Sequence, residues 1–414
     1  MADRVRSSLA EQLQLVRYLL RSIALGALAG VLAGLSSYAF LWLLQRVTDF
    51  RLDHDALLFG LPLAGAAIGA LYLYLGGRSG QGNALLLDQI HEPNAWLPRR
   101  MAPLVLLGTM VSHLFGGSVG REGTALQMAG SLSDGAARAL RLEPEQRRLI
   151  LIAALAGGFG AVFGVPLAGA IFALEVQSIG RVRYEALVPA LTAALIGDGI
   201  VRGLGYHHEI YRQLSVHVDP ALVGKLVVAG VAFGLAGAGF AWLTEWIKET
   251  TAQRIPYLPL RAAIGGAIAV GAILIAGREY SGLSLSLITD SLAGHHVVSY
   301  AFAVKLLITA LCLGFGFVGG EVTPLFVIGA TFGAALAGPL HVSVPLLAAV
   351  GFVSVFAGAA NTPLACTVMA VELFGSALVV PAAVTCVAAY VFSTHRGIYS
   401  TQRLAVSKTG APLG

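Results

Sequence analysis

Charge is what this sequence has least of. Only 12% of its 414 residues are Asp, Glu, Lys or Arg, about half of the roughly 25% that a water-soluble domain carries. Such a chain cannot cover a whole surface facing water. With 57% hydrophobic residues and a mean hydropathy of +0.78, it reads as an integral membrane protein. Cysteine is also scarce: Cys312, Cys366 and Cys386 lie in apolar runs without CxxC spacing. That excludes a disulfide framework and a zinc site and leaves them as small core residues. The net charge of +5 is accounted for by the chain flanks and by loops such as 138–148, and gives no reason to expect nucleic acid as a partner. No metal or cofactor site is visible. The pairs His207-His208 and His295-His296 sit in polar loops without a partner ligand and read as solvated. With no nucleophile beside a base and no metal cluster, the chain is not expected to be an enzyme.

What is present is a series of apolar runs. Stretches such as 57–75 and 222–243 reach the roughly 20 residues that cross a bilayer as helix, so the fold class is all-α rather than a barrel. The run from Ser22 to Leu44 is too long for a signal peptide and ends in no small-residue cleavage site, so the first helix is expected to be retained. Arg4, Arg6, Arg17 and Arg21 precede it, and Arg396, Arg403 and Lys408 follow the last run. By the positive-inside rule both termini are cytoplasmic, in a multi-pass protein of a bacterial inner membrane. The whole chain, 1–414, is expected to form one transmembrane domain with no appended soluble unit.

One phrase occurs twice. Val119-Gly120-Arg121-Glu122-Gly123-Thr124-Ala125-Leu126 is answered by Val318-Gly319-Gly320-Glu321-Val322-Thr323-Pro324-Leu325, so that V-G-x-E-x-T-x-L recurs. A second pair follows at nearly the same offset: Pro166-Leu167-Ala168 leads to Glu175, and Pro363-Leu364-Ala365 leads to Glu372. The chain is therefore a duplication, with a first repeat about 20–205 and a second about 220–400. Equal phrases are compatible with parallel or inverted halves. The stretches 104–132 and 311–338 are both interrupted by glycines and read as discontinuous helices. Broken helices at matching places in two halves point to a substrate site near the midplane. Helix N-termini exposed there favour anions.

Glu122 is the sharpest functional candidate, because an ionisable group inside a membrane segment is costly and its flanking glycines leave room for movement. The competing reading pairs it structurally with Arg121. A carboxylate that occupies an anion site when ionised, and leaves it when protonated, couples protons to anions. Glu321 holds the matching position of the second copy and divides evenly between a functional and a structural role. Glu175 and Glu372 end apolar segments and read as structural caps or interfacial groups. Asn83, in a glycine-rich turn, divides evenly between an ordinary loop residue and an amide that can donate to an anion. Tyr399 lies beyond the last apolar run, either capping a pore or anchoring the interface.

These residues resemble the CLC family of anion channels and proton-coupled anion exchangers. Gly120-Arg121-Glu122-Gly123-Thr124 is similar to its G-[KR]-E-G-P motif, Gly319 to Pro324 to its G-x-F-x-P motif, and Gly80-Gln81-Gly82-Asn83-Ala84 to its G-S-G-I-P motif. Tyr399 matches its pore tyrosine. The resemblance covers the whole chain in order. It implies a homodimer in which each subunit holds its own pore between two inverted repeats. Glu122 would be the gating and proton-transfer glutamate, Glu321 a possible second proton or gating residue, and Gln81, Gly82, Asn83, Arg121, Gly123, Val322, Thr323 and Tyr399 the anion-binding set.

The departures are informative too. Gln81 replaces the usual serine, Thr124 replaces proline, and Glu321-Val322 replaces Ile-Phe, which resembles the branch that exchanges fluoride for protons. Val176 stands where chloride/proton exchangers carry a second glutamate. The expected substrates are fluoride and protons, with a chloride or broad-anion CLC channel or exchanger as the alternative. Membrane lipid and a second copy of the chain are the expected partners.

Overall fold

Helix follows helix in the same order twice. The computed structural model describes residues 2–409, with side chains from residue 11 onward, so the side chains of Arg4 and Arg6 lie outside the described residues. The first half contains α1 (Ala2–Asp53), α2 (Leu61–Leu71), α3 (Asn83–His91), α4 (Met101–Leu114), α5 (Glu122–Ala139), α6 (Pro144–Phe163), α7 (Pro166–Glu175) and α8 (Leu187–Gly203). The second contains α9 (Pro220–Arg254), α10 (Leu258–Ala276), α11 (Leu285–Ala293), α12 (Ala301–Phe315), α13 (Val322–Leu340), α14 (Val344–Ala360), α15 (Pro363–Phe374) and α16 (Val379–Phe392). Between α8 and α9, residues 204–219 form no helix. Two short strands, β1 (Ser178–Ile179) and β2 (Arg403–Leu404), pair in parallel.

The helix ends follow from local chemistry. Proline opens α6, α7, α9 and α15 in the first turn, where its missing N–H costs nothing. Glu143 and Gln146 add a capping box to α6. At the other end α6 stops at Gly164, in a left-handed conformation with φ +72 that a glycine adopts without strain. Seven helical stretches are long and apolar enough to cross a membrane. Others, α4, α7, α12, α14 and α15 among them, have only 10–17 residues. The run 57–75 is not one continuous α-helix: a 3-10 turn precedes α2 and a π-turn follows it.

Small residues set how closely the helices approach. Gly26, Gly30 and Gly34 of α1 lie on α8 at Pro189, Ala193 and Gly197 in that order, and a Cβ at Gly30 would come 2.8 Å from the Ala193 carbonyl oxygen. The ascending order makes α1 and α8 parallel, packed through backbone contact as small-residue faces allow in lipid. Gly230 and Gly234 of α9 meet Thr385 and Ala389 of α16 in the same way. The Tyr18 hydroxyl donates to the Glu185 carbonyl at 2.8 Å, and β1 pairs with β2 shortly before and after these elements. The start of α1, the start of α8 and the C-terminal strand therefore share one end of the bundle. Segment 204–219 begins a helix length away, roughly 25 Å for the 17 residues of α8.

The relation between the halves is inverted, which the repeated phrases left open. Glu175, the last residue of α7, accepts hydrogen bonds from the Leu364 and Ala365 N–H groups at 3.1 and 2.9 Å. Glu372 of α15 accepts from the Leu167 and Ala168 N–H groups at 2.9 and 2.8 Å. Each repeat thus caps the other's helix, and the equivalent helices α7 and α15 run antiparallel. Glu175 and Glu372 are structural caps, one of the two roles their positions suggested.

Removing either cap leaves two N–H groups at a helix start without an acceptor. Glu175→Ala and Glu372→Ala are each expected to lower stability by about 1–2 kcal/mol. The measurement is the thermal midpoint of the purified protein in detergent; an unchanged midpoint in both variants would show that the exchange contributes nothing.

Candidate anion and proton site

The site is built where the repeated phrase meets itself. Gly120 and Gly320 form an isolated antiparallel bridge, with reciprocal N–H to carbonyl bonds of 2.6 and 2.8 Å. Immediately beyond it α5 begins at Glu122 and α13 at Val322, so two helix N-termini converge on one point. The Glu122 side chain crosses the bridge into the other half. Its Oε1 accepts from the Val322 N–H at 2.5 Å, and its Oε2 from the Thr323 N–H at 3.1 Å and the Thr323 hydroxyl at 3.0 Å. The Arg121 N–H also donates to Oε2, at 3.0 Å. Glu122 is 1% exposed.

The bridge must be glycine for this to happen. A Cβ at position 320 would overlap Glu122 Oε1, and one at position 120 would lie 2.7 Å from the same atom. Four donors converge on the carboxylate, and each bond to a charged acceptor contributes about 1.5–3 kcal/mol. The positive end of the α13 dipole adds to them. Chemically, the cage holds one small anion. The Glu122 carboxylate fills it.

The structure gathers part of the expected set and scatters the rest. Arg121, Glu122, Gly123, Val322 and Thr323 are together. Asn83, the first residue of α3, places its Nδ2 3.2 Å from where a Gly123 Cβ would lie, and its buried Oδ1 has no hydrogen-bond partner. Gly82 precedes it at φ +57, with the Gln127 amide alongside. Gln81 instead ends a 3-10 turn on the exposed side. Tyr399 is not an interfacial anchor: it is 5% exposed, with its ring 6.0 Å from Phe172 on an aromatic wall that includes Phe159. Neighbouring bonds from Ile398 N–H to Ala359 O and from Asn361 to Gln402 hold that return of the chain in place.

Arg121 and Glu122 form no ion pair. The guanidinium lies over Phe163, 5.7 Å from the ring centre, and its buried Nε has no partner. Glu321 is half-buried at the start of α13 and its side chain makes no cap bond, so the two matching glutamates are in different states. Thr124, in the place of the motif's proline, bonds to Thr109 at 2.6 Å and ties α5 to α4. His208 corrects the reading of its loop as solvated, since its side chain is only 8% exposed. Nothing in the local sequence marks that burial. The three cysteines are free and buried, as their apolar surroundings suggested.

Inverted halves, broken helices meeting at a midpoint, and a mobile-length carboxylate held by backbone donors define a multi-pass helical membrane protein of ion transport. The chain belongs to the family described as voltage gated chloride channel, whose pattern matches residues 64–394. It is 45% identical over 411 residues to a chloride/fluoride channel protein of Pseudomonas syringae pv. tomato, covering 97% of this chain and 91% of that one. An H(+)/Cl(−) exchange transporter of Vibrio cholerae is 28% identical over 374 residues, covering 82% and 79%. Among solved structures, that of a CLC-type fluoride/proton antiporter superposes with a TM-score of 0.89 at 34% identity, covering 95% of this chain and 99% of that one. A cyanobacterial Cl−/H+ antiporter at 20% identity shares the fold, with a TM-score of 0.76.

Gly320→Ala is expected to expel the Glu122 carboxylate from its cage while leaving the α7/α15 caps untouched. The thermal midpoint should fall, because a Cβ there also comes 2.8 Å from the Gly123 backbone nitrogen, and anion flux through reconstituted liposomes should lose its dependence on Glu122. Additive effects of Gly320→Ala and Glu122→Ala on that flux would show that the two residues do not act through one contact.

Proposed function

We propose that the protein exports fluoride in exchange for protons across a bacterial inner membrane, with Glu122 as both gate and proton carrier. The observation that carries this reading is the Glu122 carboxylate seated among the Val322, Thr323 and Arg121 donors at the start of α13. A carboxylate that competes with the transported anion for one cage moves one proton each time it yields its place, which makes the exchange obligatory. A passive pore needs no such occupant.

Fluoride as the anion is supported by the departures at Gln81, Thr124 and Glu321-Val322. It is supported as well by the chloride/fluoride description of the Pseudomonas relative and by the fluoride/proton antiporter of the same fold. Fluoride is smaller and more strongly hydrated than chloride, so it demands strong donors in place of water. Thr323 and the helix-end N–H groups supply them, with the Asn83 amide beside Gly123. Gly82 and Tyr399 complete the proposed lining, while exposed Gln81 supports the fluoride reading only as a departure from the family's serine. Glu321 is the second proton or gating residue, supported by its place at the start of α13 with no cap bond.

The functional unit is a homodimer with one pore per subunit, in contact with lipid, and with both termini cytoplasmic. Driven by inward proton flow, such an exchanger relieves the toxicity of fluoride that enters as neutral HF and is trapped as the anion. The chloride or broad-anion alternative draws on the Vibrio exchanger.

Liposomes holding the purified protein and given only a fluoride gradient should pump protons against their own gradient. Fluoride flux without proton movement would refute the antiport. Glu122→Gln should abolish the pumping, and normal coupling in that variant would remove Glu122 from the gating role. In parallel efflux at matched gradients fluoride should outrun chloride; equal rates would favour the broad-anion alternative.

A further inference from the structure

The segment joining the two halves carries a second set of anion donors. It lies at the end of the bundle opposite the chain ends, which is the outer mouth under the reading above, on which this inference rests. There it folds back over the helices: Leu214 N–H donates to the Phe374 carbonyl at 3.1 Å, and Tyr211 packs against Phe374 and Phe352 with ring centres 5.3 and 6.0 Å apart. The His208 ring inserts at Gly164, where a Cβ would come 2.6 Å from its Cδ2.

His208 is nine-tenths buried, yet neither ring nitrogen has a hydrogen-bond partner. Asp198 Oδ1 lies 3.7 Å from Nε2, and Arg202 already donates to both Asp198 oxygens at 2.9 and 2.8 Å. Burial, and then the Arg121 and Arg202 charges, push the His208 imidazole down to about 4. The ring is therefore neutral in neutral solution, and its approach to Asp198 is a dipolar contact. A neutral imidazole offers one N–H donor and one bare nitrogen.

His208 lines a narrow cleft together with Arg121, Tyr211 and Thr323, between apolar walls that include Phe163 and Phe326, with exposed Glu209 also lining it. Thr323 and Arg121 are also donors to Glu122, so the cleft adjoins the cage. Two buried donor groups, the Arg121 Nε and the His208 ring, thus meet no protein acceptor, and buried donors left unmet destabilise a fold unless a ligand or water joins them.

We propose that Arg121 and His208 form an anion-staging site one step outward of the Glu122 position, taking a small hard anion such as fluoride or chloride. The Arg121 guanidinium supplies the charge, and the imidazole N–H a directed donor. The bare ring nitrogen also accepts from HF, so the site receives the ion in either protonation state. Phe163 and Phe326 keep the site poor in water, which strengthens both contacts.

The test uses proteoliposomes of a single orientation and a fluoride electrode. In His208→Phe, the KM for fluoride offered from the His208 side should rise about tenfold, while the KM from the opposite side keeps its wild-type value. His208→Gln, which retains a donor, should recover most of the loss. Equal KM changes on both sides, equal losses in the Phe and Gln variants, or no change would overturn the proposal. Anomalous scattering from crystals of the unmodified protein soaked in bromide reads the site without a variant. A peak in contact with both Arg121 and His208 supports it; a peak only elsewhere, or none, overturns it. Failure of fluoride/proton exchange itself is visible earlier, in the unmodified protein, and the same KM comparison is then made with chloride.

Discussion

One carboxylate held at the wrong half's helix is the constraint around which the rest is arranged. Glu122 belongs to the first repeat by sequence and to the second by hydrogen bonding. For its oxygens to reach the Val322 and Thr323 donors, the two chain segments must touch, and Gly120 and Gly320 let them do so through backbone alone. The break between α4 and α5, and that between α12 and α13, follow from the same requirement. A continuous helix would hide the very N–H groups that the carboxylate uses.

The framework that delivers this contact is also an exchange between halves. Glu175 and Glu372 bind each other's helix starts near the inverted axis, and glycine faces lock α1 on α8 and α9 on α16. These pairings obey the symmetry; the central one breaks it. Glu122 is fully engaged whereas the Glu321 side chain makes no cap bond, so a symmetric scaffold holds the two matching glutamates differently.

The functional reading gains from the position of the segment between the repeats. A long connection between inverted halves must cross one face of the bundle, and here it crosses the face onto which the cleft beside Arg121 opens. Covalent necessity thus brings His208, Glu209 and Tyr211 to the cleft beside Arg121.

Much of the molecule was legible in the residues. Low charge and long apolar runs determined an all-helical membrane protein, the recurring phrases determined the duplication, and a glutamate among glycines in an apolar stretch marked the centre of the site. These properties are local or periodic, and so they survive in one dimension. The inverted relation of the halves, the cross-repeat seat of Glu122, the separation of Arg121 from it, the exposure of Gln81, and the burial of Tyr399 and His208 were decided only by tertiary structure. Each depends on which distant segment lies opposite, and a hydrogen bond between residues 200 positions apart leaves no trace in the spacing of either.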